Sequence, residues 1–309
     1  MAKHDYDIII ITGPTATGKT HIAAMIAAEL GSEVISADSR QVYRGMDLGT
    51  GKDLGDYMVK GRQVPFHLID IVDAGYKYNV YEYQRDFVKV YKDMVQRGKL
   101  PVVCGGSGMY VDSIVSGYRL TQVPVNEPLR ESLAGLSLEE LTGMLSVYKR
   151  LHNKTDVDTL KRAVRAIEIE EYYLNHHVDH EPFPVIKPLV AGIMFDRDIR
   201  RERISKRLRE RLEGGMVDEV QRLLAHGVHP DDLIYYGLEY KYVTFYLLNR
   251  MDYNEMCLKL ETEIHRFAKR QMTWFRGMER RGIKISWIDG RLSDEEKVAL
   301  IFTMIRHKY

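Results

Sequence analysis

Residues 8–20, IIIITGPTATGKT, decide the fold of this chain. Ile8 to Thr12 form a short apolar run rich in β-branched residues, and such a run bounded by turn residues predicts a buried strand. Residues 18–30, GKTHIAAMIAAEL, predict a helix that stops at Gly31. The loop between them, GPTATGKT, fits the G-x-x-x-x-G-K-[ST] pattern without a mismatch. A strand, this loop and a helix in succession indicate a phosphate-binding loop (P-loop).

The residue types of this loop suit an anion. Gly13 and Gly18 allow the backbone to curl so that successive N–H groups converge on one anion, and the following helix points its positive end at it. Lys19 adds a point charge, and the Thr20 hydroxyl is a candidate ligand for Mg²⁺. The loop therefore predicts diphosphate or triphosphate binding. The candidate diphosphate contacts are Gly13, Pro14, Thr15, Ala16, Thr17, Gly18, Lys19 and Thr20.

Strand and helix patterns alternate along the first 120 residues. Further strands are predicted at 33–36, 67–72 and 101–106, with a long amphipathic helix ending at Gly98 and another helix from about Met109. This alternation predicts a parallel sheet with helical crossovers. The fold class is therefore α/β, with a P-loop NTPase-like parallel sheet core.

The pattern changes after Gly117. Residues 121–188 contain no convincing strand and predict a helical insert with prolines at both margins. A strand at 189–195 restores the sheet, and the expected domains are a core of 1–120 with 189–309 and an insert of 121–188. Later elements are long C-terminal helices at 197–213, 216–226 and 252–278, a strand at 283–288 and a helix at 293–306.

The bulk composition is ordinary for a globular protein. The 309 residues are 45% hydrophobic and 29% charged, with a formal net charge of only +1. No stretch has the apolar length of a membrane span, and the first residues lack the apolar core of a secretory signal. The two cysteines, Cys104 and Cys257, are too far apart for a zinc-finger ligand set. We therefore expect a cytoplasmic protein in a reducing setting, without membrane association, and nothing demands more than a monomer.

Positive charge is concentrated in two segments. Residues 197–211 hold eight Lys/Arg against three acids, and residues 264–284 hold seven against one. Local basic faces on a near-neutral protein suit an anionic partner bound at one surface. A solvated, salt-bridged helix face explains the first segment equally well.

Asp38 stands in a second polar segment, SADSRQVYRGMDLGTGK, residues 36–52. In an open parallel sheet, residues at the carboxyl ends of strands face the ligand crevice, which places Asp38 one strand along from the P-loop. A carboxylate there is suited to take a proton from a nucleophile. The structural alternative is a helix N-cap or turn former, since Asp and Ser favour both.

The P-loop alone leaves a kinase or hydrolase open. Such an enzyme works by charge neutralisation and by positioning water or a hydroxyl at the transferred phosphoryl group. That chemistry calls for an acid after an apolar strand, which Asp70 at the end of HLID could supply, and for a lid arginine, which could come from the insert.

A more specific resemblance comes from five segments in order: GPTATGKT, ISADSRQVYRGMDLGTGK, HLIDIV, VVCGGSGMY and KRQMTWFR. Together they resemble the tRNA dimethylallyltransferase (isopentenyltransferase) family, through about residue 120, again at 165–169 and then through 190–288. The resemblance implies transfer of a dimethylallyl group from dimethylallyl diphosphate to the exocyclic N6 amine of the adenosine 3′ of the tRNA anticodon. In that reaction the diphosphate leaves, and no phosphoryl group is transferred.

The family's roles extend to matching positions in this chain. The resemblance implies that Asp38 is the base, that Lys19 and Mg²⁺ at Thr20 stabilise the departing diphosphate, and that Ser107 contacts substrate where the family usually has threonine. Residues 233–242 depart from the family's usual sequence around Gly237. The implied catalytic residues are Asp38, Lys19 and Ser107. The implied tRNA contacts are Asp38, Ser39, Arg40, Gln41, Ser107, Arg130, Arg162, Arg165, Arg266, Lys269, Arg270 and Gln271.

Three alternatives remain. A prenyltransferase acting on free adenine nucleotides would share the loop and Asp38, although a small nucleotide does not need the basic C-terminal helices. A small-molecule P-loop kinase would transfer phosphate instead of releasing diphosphate. A non-catalytic RNA-binding descendant is the third, and intact Lys19, Thr20 and Asp38 argue against it.

Overall fold

A computed structural model describes residues 5–118, 120–149, 157–176 and 183–306. Contacts between residues divide the chain into two compact units. The first combines Met1–Tyr118 with Pro184–Tyr309, and the second is Arg119–Phe183. The sequence placed the insert at 121–188, so the second unit begins and ends slightly earlier than expected.

The first unit is built on a parallel sheet. The strands in the described part of the chain are β1 (Ile8–Thr12), β2 (Val34–Ser36), β3 (Met58–Val59), β4 (Arg62–Gln63), β5 (Phe66–His67), β6 (Val102–Gly105), β7 (Pro188–Met194) and β8 (Ser286–Asp289). Six of them form the sheet, in the order β5-β2-β6-β1-β7-β8. A separate antiparallel hairpin pairs β3 with β4. The predicted α/β core with a parallel sheet is confirmed.

Helices surround this sheet and make up the second unit. No helix within the described residues has the length and apolar character needed to cross a membrane. In the first unit the helices are α1 (Lys19–Glu29), α2 (Val80–Gln96), α3 (Gly108–Val115), α7 (Arg197–Glu213), α8 (Met216–Ala225), α9 (Pro230–Tyr236), α10 (Leu238–Leu247), α11 (Tyr253–Arg280) and α12 (Asp294–Arg306), with a 3-10 turn at Leu54–Tyr57. The second unit holds α4 (Glu127–Ser132), α5 (Leu138–Tyr148) and α6 (Leu160–Asn175).

Strand β1 and helix α1 form the centre of the core. The four isoleucines of β1 are fully buried, as expected for a strand with a neighbour on each side and helices over both faces. Helix α1 buries Ile22, Ile26 and three alanines against the sheet, and these small side chains let the helix lie close to it. This packing fixes the P-loop, because the loop joins two buried elements.

The predicted strand over 67–72 is wrong for most of its length. Only β5 pairs with β2, and an isolated bridge joins Tyr43 to Val72. Leu68 and Asp70 have positive φ angles of 61° and 54°, which interrupt the strand. The turned backbone brings the Asp70 carboxylate to the buried ammonium of Lys52, which also pairs with Asp47. A tertiary ion pair therefore overrides the apolar pattern of the segment.

The second unit has its own small core. Helices α5 and α6 pack through Leu141, Leu145, Ala163 and Ile167, all of them buried. A capping box at Ser137 begins α5, in which the Ser137 side chain accepts from the amide of Glu140. The described residues of this unit are helical or irregular.

Candidate active site

A cavity of about 710 Å³ lies at the carboxyl ends of the central strands in the first unit. It is lined by the P-loop after β1, by the segment after β2 and by Ser107 after β6. Strand β6 lies between β1 and β2, so Asp38 is two strands from the P-loop and not one, as the sequence suggested. Ser107 therefore comes from the strand that separates the P-loop from the Asp38 segment.

The shape of the P-loop is held by a close backbone approach at Gly13 and by two side-chain hydrogen bonds within the loop. Gly13 has a φ of 143°, and a Cβ atom there would lie 2.4 Å from the carbonyl oxygen of Ile193. The Thr17 hydroxyl and the Lys19 ammonium both donate to the carbonyl oxygen of Pro14, at 3.0 and 3.2 Å. Glycine is thus required where the loop passes β7, and two side chains of the loop hold its own backbone in place.

Lys19 is the cationic centre of the loop. Burial lowers the pKa of its ammonium, and the positive charges of Arg207 and Arg211 act in the same direction. Cys104 and Asp38 oppose this shift in the pKa. An ammonium with this desolvation and these cationic neighbours gains strongly from a bound anion.

Asp38 lines the cavity with a half-buried side chain. Its Oδ1 atom accepts a hydrogen bond from the backbone N–H of Arg40 at 2.9 Å. This bond is the turn-forming contact that the sequence offered as a structural alternative, and it orients the carboxylate. The turn role and a role as base are compatible, because a carboxylate has further lone pairs.

Ser107 and Ser39 join the two loops beside Asp38. The Ser107 hydroxyl oxygen accepts from the backbone N–H of Ser39 at 2.9 Å and donates to the Ser39 hydroxyl at 3.2 Å. The backbones approach closely here, because a Cβ atom on Gly105 would lie 2.1 Å from the carbonyl oxygen of Ala37. The structure thus brings two predicted site residues into direct contact.

Gln271 of α11 joins the P-loop to the loop after β6. Its side-chain oxygen accepts from the backbone N–H of Thr15 at 3.0 Å, and its nitrogen donates to the carbonyl oxygen of Gly106 at 2.8 Å. The residue is 7% exposed. The sequence predicted a tRNA contact, whereas the geometry gives Gln271 a role in holding two loops of the cavity together.

The remaining residues of the Asp38 segment are also anchored. Gln41 accepts from the Ser36 hydroxyl and donates to the carbonyl oxygen of Gly51, both at 3.2 Å. The Arg40 guanidinium donates to the carbonyl oxygen of Tyr235 at 3.3 Å and lies over the Tyr235 ring. Both side chains line the cavity.

Three arginines of α7 line the cavity and were missed as site residues. Arg203, Arg207 and Arg211 are spaced four residues apart, which places them on one face of the helix. The Nε atom of Arg203 donates to the carbonyl oxygen of Ala16 in the P-loop at 2.9 Å. Arg203 is exposed, but the side chains of Arg207 and Arg211 are 29% and 12% exposed, so a solvated face does not describe those two positions. The four-residue spacing was the signal that could have placed all three on one face.

Two acidic residues that were not predicted as site residues, Glu239 and Asp56, also line this cavity. Burial raises the pKa of Glu239, while Arg211 and Arg207 oppose that shift. Burial and the neighbouring Asp53 raise the pKa of Asp56. These groups therefore favour the neutral form more than an exposed carboxyl does.

The other predicted tRNA contacts fall in two places. On α11, Arg266, Lys269 and Arg270 are exposed, and Arg270 also lines the cavity. In the second unit, Arg130 and Arg165 both pair with the buried Glu168, and Arg162 pairs with Asp158 at 2.5 Å.

Glu168 is the centre of that second-unit cluster. Burial acts to raise its pKa, but hydrogen bonds from the Asn126 amide, Arg165 and Arg130 outweigh burial and lower the pKa. The Arg165 guanidinium also donates to the carbonyl oxygen of Val123 at 2.7 Å. Arg130 and Arg165 thus have structural partners, with about a third of each side chain left exposed.

The acid suggested for a kinase does not reach the site. Asp70 pairs with Lys52, and it is absent from the described residues that line the cavity. Asp38 is the predicted carboxylate that faces the P-loop's cavity.

The donor groups present fit a Mg²⁺ ion that binds together with a phosphate ligand. Within the described residues no group of three His, Cys, Asp or Glu side chains could form a complete protein cage. Mg²⁺ in phosphate sites keeps several waters and takes few protein ligands, so a hydroxyl beside the cradle is sufficient. Thr20 supplies that hydroxyl and lines the cavity.

Fold and site together define a P-loop α/β protein with a phosphate cradle and a carboxylate in one cavity. The family model described as "IPP transferase" matches residues 41–278. The tRNA dimethylallyltransferase 2 of Bacteroides fragilis (strain YCH46) is 62% identical over 97% of this chain and 98% of that protein. The tRNA dimethylallyltransferase 1 of Parabacteroides distasonis is 59% identical over 98% and 99%. The chain belongs to the IPP transferase family, which confirms the resemblance drawn from its motifs.

Solved structures agree with this assignment. The full-length tRNA isopentenylpyrophosphate transferase of Bacillus halodurans matches with a TM-score of 0.71 and 29% identity, covering 96% of this chain and 95% of that one. A crystal structure of a eukaryotic dimethylallyltransferase acting on tRNA matches with a TM-score of 0.79. That second match has 18% identity, covers 97% of this chain and 81% of the other, and supports the fold alone.

Proposed function

We propose that this chain transfers a dimethylallyl group from dimethylallyl diphosphate to the N6 amine of the adenosine 3′ of the anticodon in tRNA, releasing diphosphate. The observation that carries the proposal is the shared cavity, in which the phosphate cradle and Asp38 line one space of about 710 Å³. That volume suits a small organic donor together with a purine. The names of the relatives, tRNA dimethylallyltransferases at about 60% identity, support the same chemistry.

The cradle binds the leaving group. Backbone N–H groups of the P-loop and the Lys19 ammonium contact the diphosphate, whose negative charge grows as the allylic C–O bond breaks. Lys19 is half-buried, and desolvation lowers the pKa of its ammonium, so its charge acts in a partly desolvated site where it is worth more than in water. Gln271 keeps the Thr15 amide and the Gly106 carbonyl in place while this occurs.

Asp38 acts on the acceptor. The adenine N6 amine attacks the allylic carbon, so a C–N bond forms as the C–O bond breaks, and Asp38 takes the proton that the amine loses. This amine is a weak nucleophile, and alignment of the two reactants supplies much of the rate. The bond from the Arg40 amide to Asp38 and the Ser107–Ser39 pair hold the receiving groups in position.

Mg²⁺ is the proposed cofactor. When bound, it neutralises part of the charge on the diphosphate. Thr20 would be its protein ligand, and the phosphate oxygens and waters would complete its shell.

The RNA must present an unstacked base. Enzymes that modify a base extrude it from its stack into the active site, and the same is proposed for the adenosine next to the anticodon. Basic side chains on α11 and in the second unit would contact the phosphates of the anticodon stem-loop; Arg266, Lys269 and Arg162 are exposed, and Arg130 is partly exposed. Binding should therefore weaken steeply as salt is raised. We propose a monomer in the cytoplasm.

The test is product analysis by mass spectrometry. The purified chain is incubated with dimethylallyl diphosphate in three separate reactions. Each reaction contains one second substrate, which is an anticodon stem-loop, AMP or ATP. A prenylated adenosine in the stem-loop, lost in a Lys19→Ala variant, is expected. Prenylated AMP without prenylated RNA would identify a nucleotide prenyltransferase, and phosphate transfer from ATP would identify a kinase.

A further inference from the structure

Glu239 is a carboxyl group in the cavity wall that the proposed reaction leaves without a role. It is the second residue of α10 and lines the same cavity as the P-loop and Asp38. The residue is half-buried. It belongs to residues 233–242, which depart from the family's usual sequence, so the resemblance assigns it no part in the reaction.

The carboxyl group of Glu239 is held by its own backbone alone. Its one hydrogen bond within the described ranges comes from its own N–H group, at the start of α10. Arg211 and Arg207 of α7 act on it through the field of their charges, without an ion pair to it among the described residues. A carboxyl group that borders a cavity and has no donor from another residue is available to a ligand.

Opposing influences set the protonation of this carboxyl group. Burial is the largest of them, and it raises the pKa of Glu239. The charge of Asp38 acts in the same direction, whereas Arg211 and Arg207 oppose the rise in the pKa. Other titratable groups border the cavity or α10: Lys19, Asp53, Tyr236 and Arg270 line the cavity, and Glu219 of α8 accepts from Tyr240. The charged and neutral forms of Glu239 are therefore more nearly balanced than those of an exposed glutamate.

A diphosphate ion in this cavity changes that balance. It pairs with the cationic groups that favour the carboxylate form of Glu239, and its own negative charge repels that form. Both effects raise the pKa of Glu239 above its value in the unliganded protein. A neutral carboxyl group also has an O–H donor, which suits a ligand whose oxygen atoms are all acceptors.

We propose that Glu239 is a further substrate-binding residue, which takes up a proton when the donor's diphosphate binds and donates that hydrogen to the ligand. The proton comes from the buffer, and an O–H bond is the only covalent bond that forms. The inference rests on the proposed function for the identity of the ligand. Donor affinity should be full below the pKa of Glu239 in the unliganded protein, fall as the pH rises, and level off above its pKa in the complex.

The test counts protons by titration calorimetry with inorganic diphosphate and Mg²⁺. Binding heats are measured at one pH in buffers of different ionisation enthalpy, and the series is repeated from about pH 5 to pH 9. Diphosphate and Lys19 also exchange protons, so only the difference between wild type and Glu239→Gln is assigned to Glu239. At the pH of the largest difference, the wild type should take up about half a proton to one proton more than the variant.

The affinities from the same titrations give a second measurement. Glu239→Gln keeps the length of the side chain and a neutral N–H donor, so its affinity should match that of the protonated wild type at every pH. With rising pH the wild type should become about tenfold weaker than Glu239→Gln, and the two should agree at the acidic end. Glu202→Gln is the matched control, because Glu202 is an exposed acid that does not line the cavity. Its proton uptake and affinity should match the wild type.

Thermal unfolding of each variant checks that the fold is kept. Should Glu239→Gln fail to fold, Glu239→Ala removes the same titrating group, and the same difference in proton uptake is expected. Equal proton uptake by the wild type and the folded variant at every pH would overturn the proposal, because a carboxylate that only balances the charge of Arg211 stays ionised.

The same experiments separate this inference from the proposed function. Prenyl transfer to RNA without a difference in proton uptake would leave the proposed function standing and overturn the role of Glu239. A difference in proton uptake in a chain that transfers no prenyl group would support the role of Glu239, and the proposed function would fail. A wild type that does not bind diphosphate would overturn both.

Discussion

The side-chain oxygen of Gln271 accepts a hydrogen bond from the backbone N–H of Thr15 at 3.0 Å, across 256 residues of sequence. The side-chain nitrogen of Gln271 donates to the carbonyl oxygen of Gly106. One side chain of α11 therefore fixes the P-loop against the loop after β6. Both backbone groups belong to segments that line one cavity, so this bridge fixes the position of the P-loop relative to the segment that holds Ser107.

Substituting Gln271 should therefore loosen the cradle. Gln271→Ala leaves the Thr15 amide and the Gly106 carbonyl without this partner, which costs about 1–3 kcal/mol per unsatisfied buried group. We expect lower thermal stability and about tenfold weaker donor binding, since the N–H groups are no longer aligned. Thr273→Ala, on an exposed face of the same helix, is the control and should change neither quantity. Unchanged donor affinity in Gln271→Ala would show that the bridge has no role in the site.

Asp38→Asn should separate binding from chemistry. Asparagine still accepts the bond from the Arg40 amide, so the turn is preserved, but it does not act as a base at neutral pH. Loss of general-base catalysis predicts a rate about 10²- to 10⁴-fold lower, with donor and RNA affinities close to those of the wild type. Single-turnover kinetics measures the rate, and titration calorimetry measures the affinities. A turnover near the wild-type value would remove Asp38 as the base.

Ser107 offers a conservative comparison at the same site. Ser107→Ala leaves the Ser39 amide without its acceptor, whereas Ser107→Thr keeps a hydroxyl at the position where the family usually has threonine. We expect about a tenfold loss of kcat/KM in the alanine variant, from one lost hydrogen bond of about 1.5 kcal/mol. The threonine variant should recover most of it. Equal kinetics in the two variants would show that the hydroxyl is not used.

A buried carboxylate that does not line the cavity, Glu33, is expected to contribute to the response of stability to acid. Glu33 is 7% exposed at its side chain and accepts from Arg97 at 2.6 and 2.9 Å, from His67 at 2.7 Å and from Lys99. The bond from Arg97 is the main cause that holds the pKa of Glu33 well below its ordinary value, with Lys99 and His67 adding to it. Burial opposes this lowering of the pKa.

The sign of the pH dependence follows from that lowered pKa. Glu33 contributes its stabilisation above its unfolded pKa of about 4.3, and the contribution is lost as pH falls below that value. Glu33→Gln should lower the free energy of unfolding by about 3 kcal/mol near neutral pH and flatten its decline in acid. Denaturant titrations at neutral and acidic pH measure this effect, with the exposed Glu29→Gln as control. A steep decline in acid retained by Glu33→Gln would contradict the assignment.

Local signals predicted the centre of the fold. The strand, loop and helix at 8–29 were readable because one buried strand, one loop motif and one helix are contiguous in sequence. The strand predicted at 67–72 failed because its apolar pattern competes with the Lys52–Asp70 ion pair, which depends on tertiary contact. Helices α9 and α10 were missed because Gly237, with a φ of 141°, divides a single polar-aromatic stretch into two short helices.

The candidate site also contains two kinds of residue: those that a local motif specifies and those that only the folded chain brings together. Lys19, Asp38 and Ser107 could be chosen as candidates because motifs specify them, and all three line the cavity. Arg203, Arg207 and Arg211 were missed because their four-residue spacing places them on one helix face but does not show which face turns to the P-loop. The bond from Arg203 to Ala16, across 187 residues, exists only in the folded chain. Gln271 was identified as a site residue, but its work in joining two loops follows only from the folded chain.

The central claim is that the cradle binds a departing diphosphate, and the position of bond cleavage tests it most directly. Dimethylallyl diphosphate is prepared with a heavy oxygen isotope at the bridge between carbon and phosphorus, then incubated with the chain, Mg²⁺ and an anticodon stem-loop. Mass spectrometry follows the isotope. Cleavage of the C–O bond predicts that the heavy oxygen appears in the released diphosphate, with a prenyl group on the RNA. Heavy oxygen in free dimethylallyl alcohol, with phosphate groups transferred elsewhere, would contradict the account.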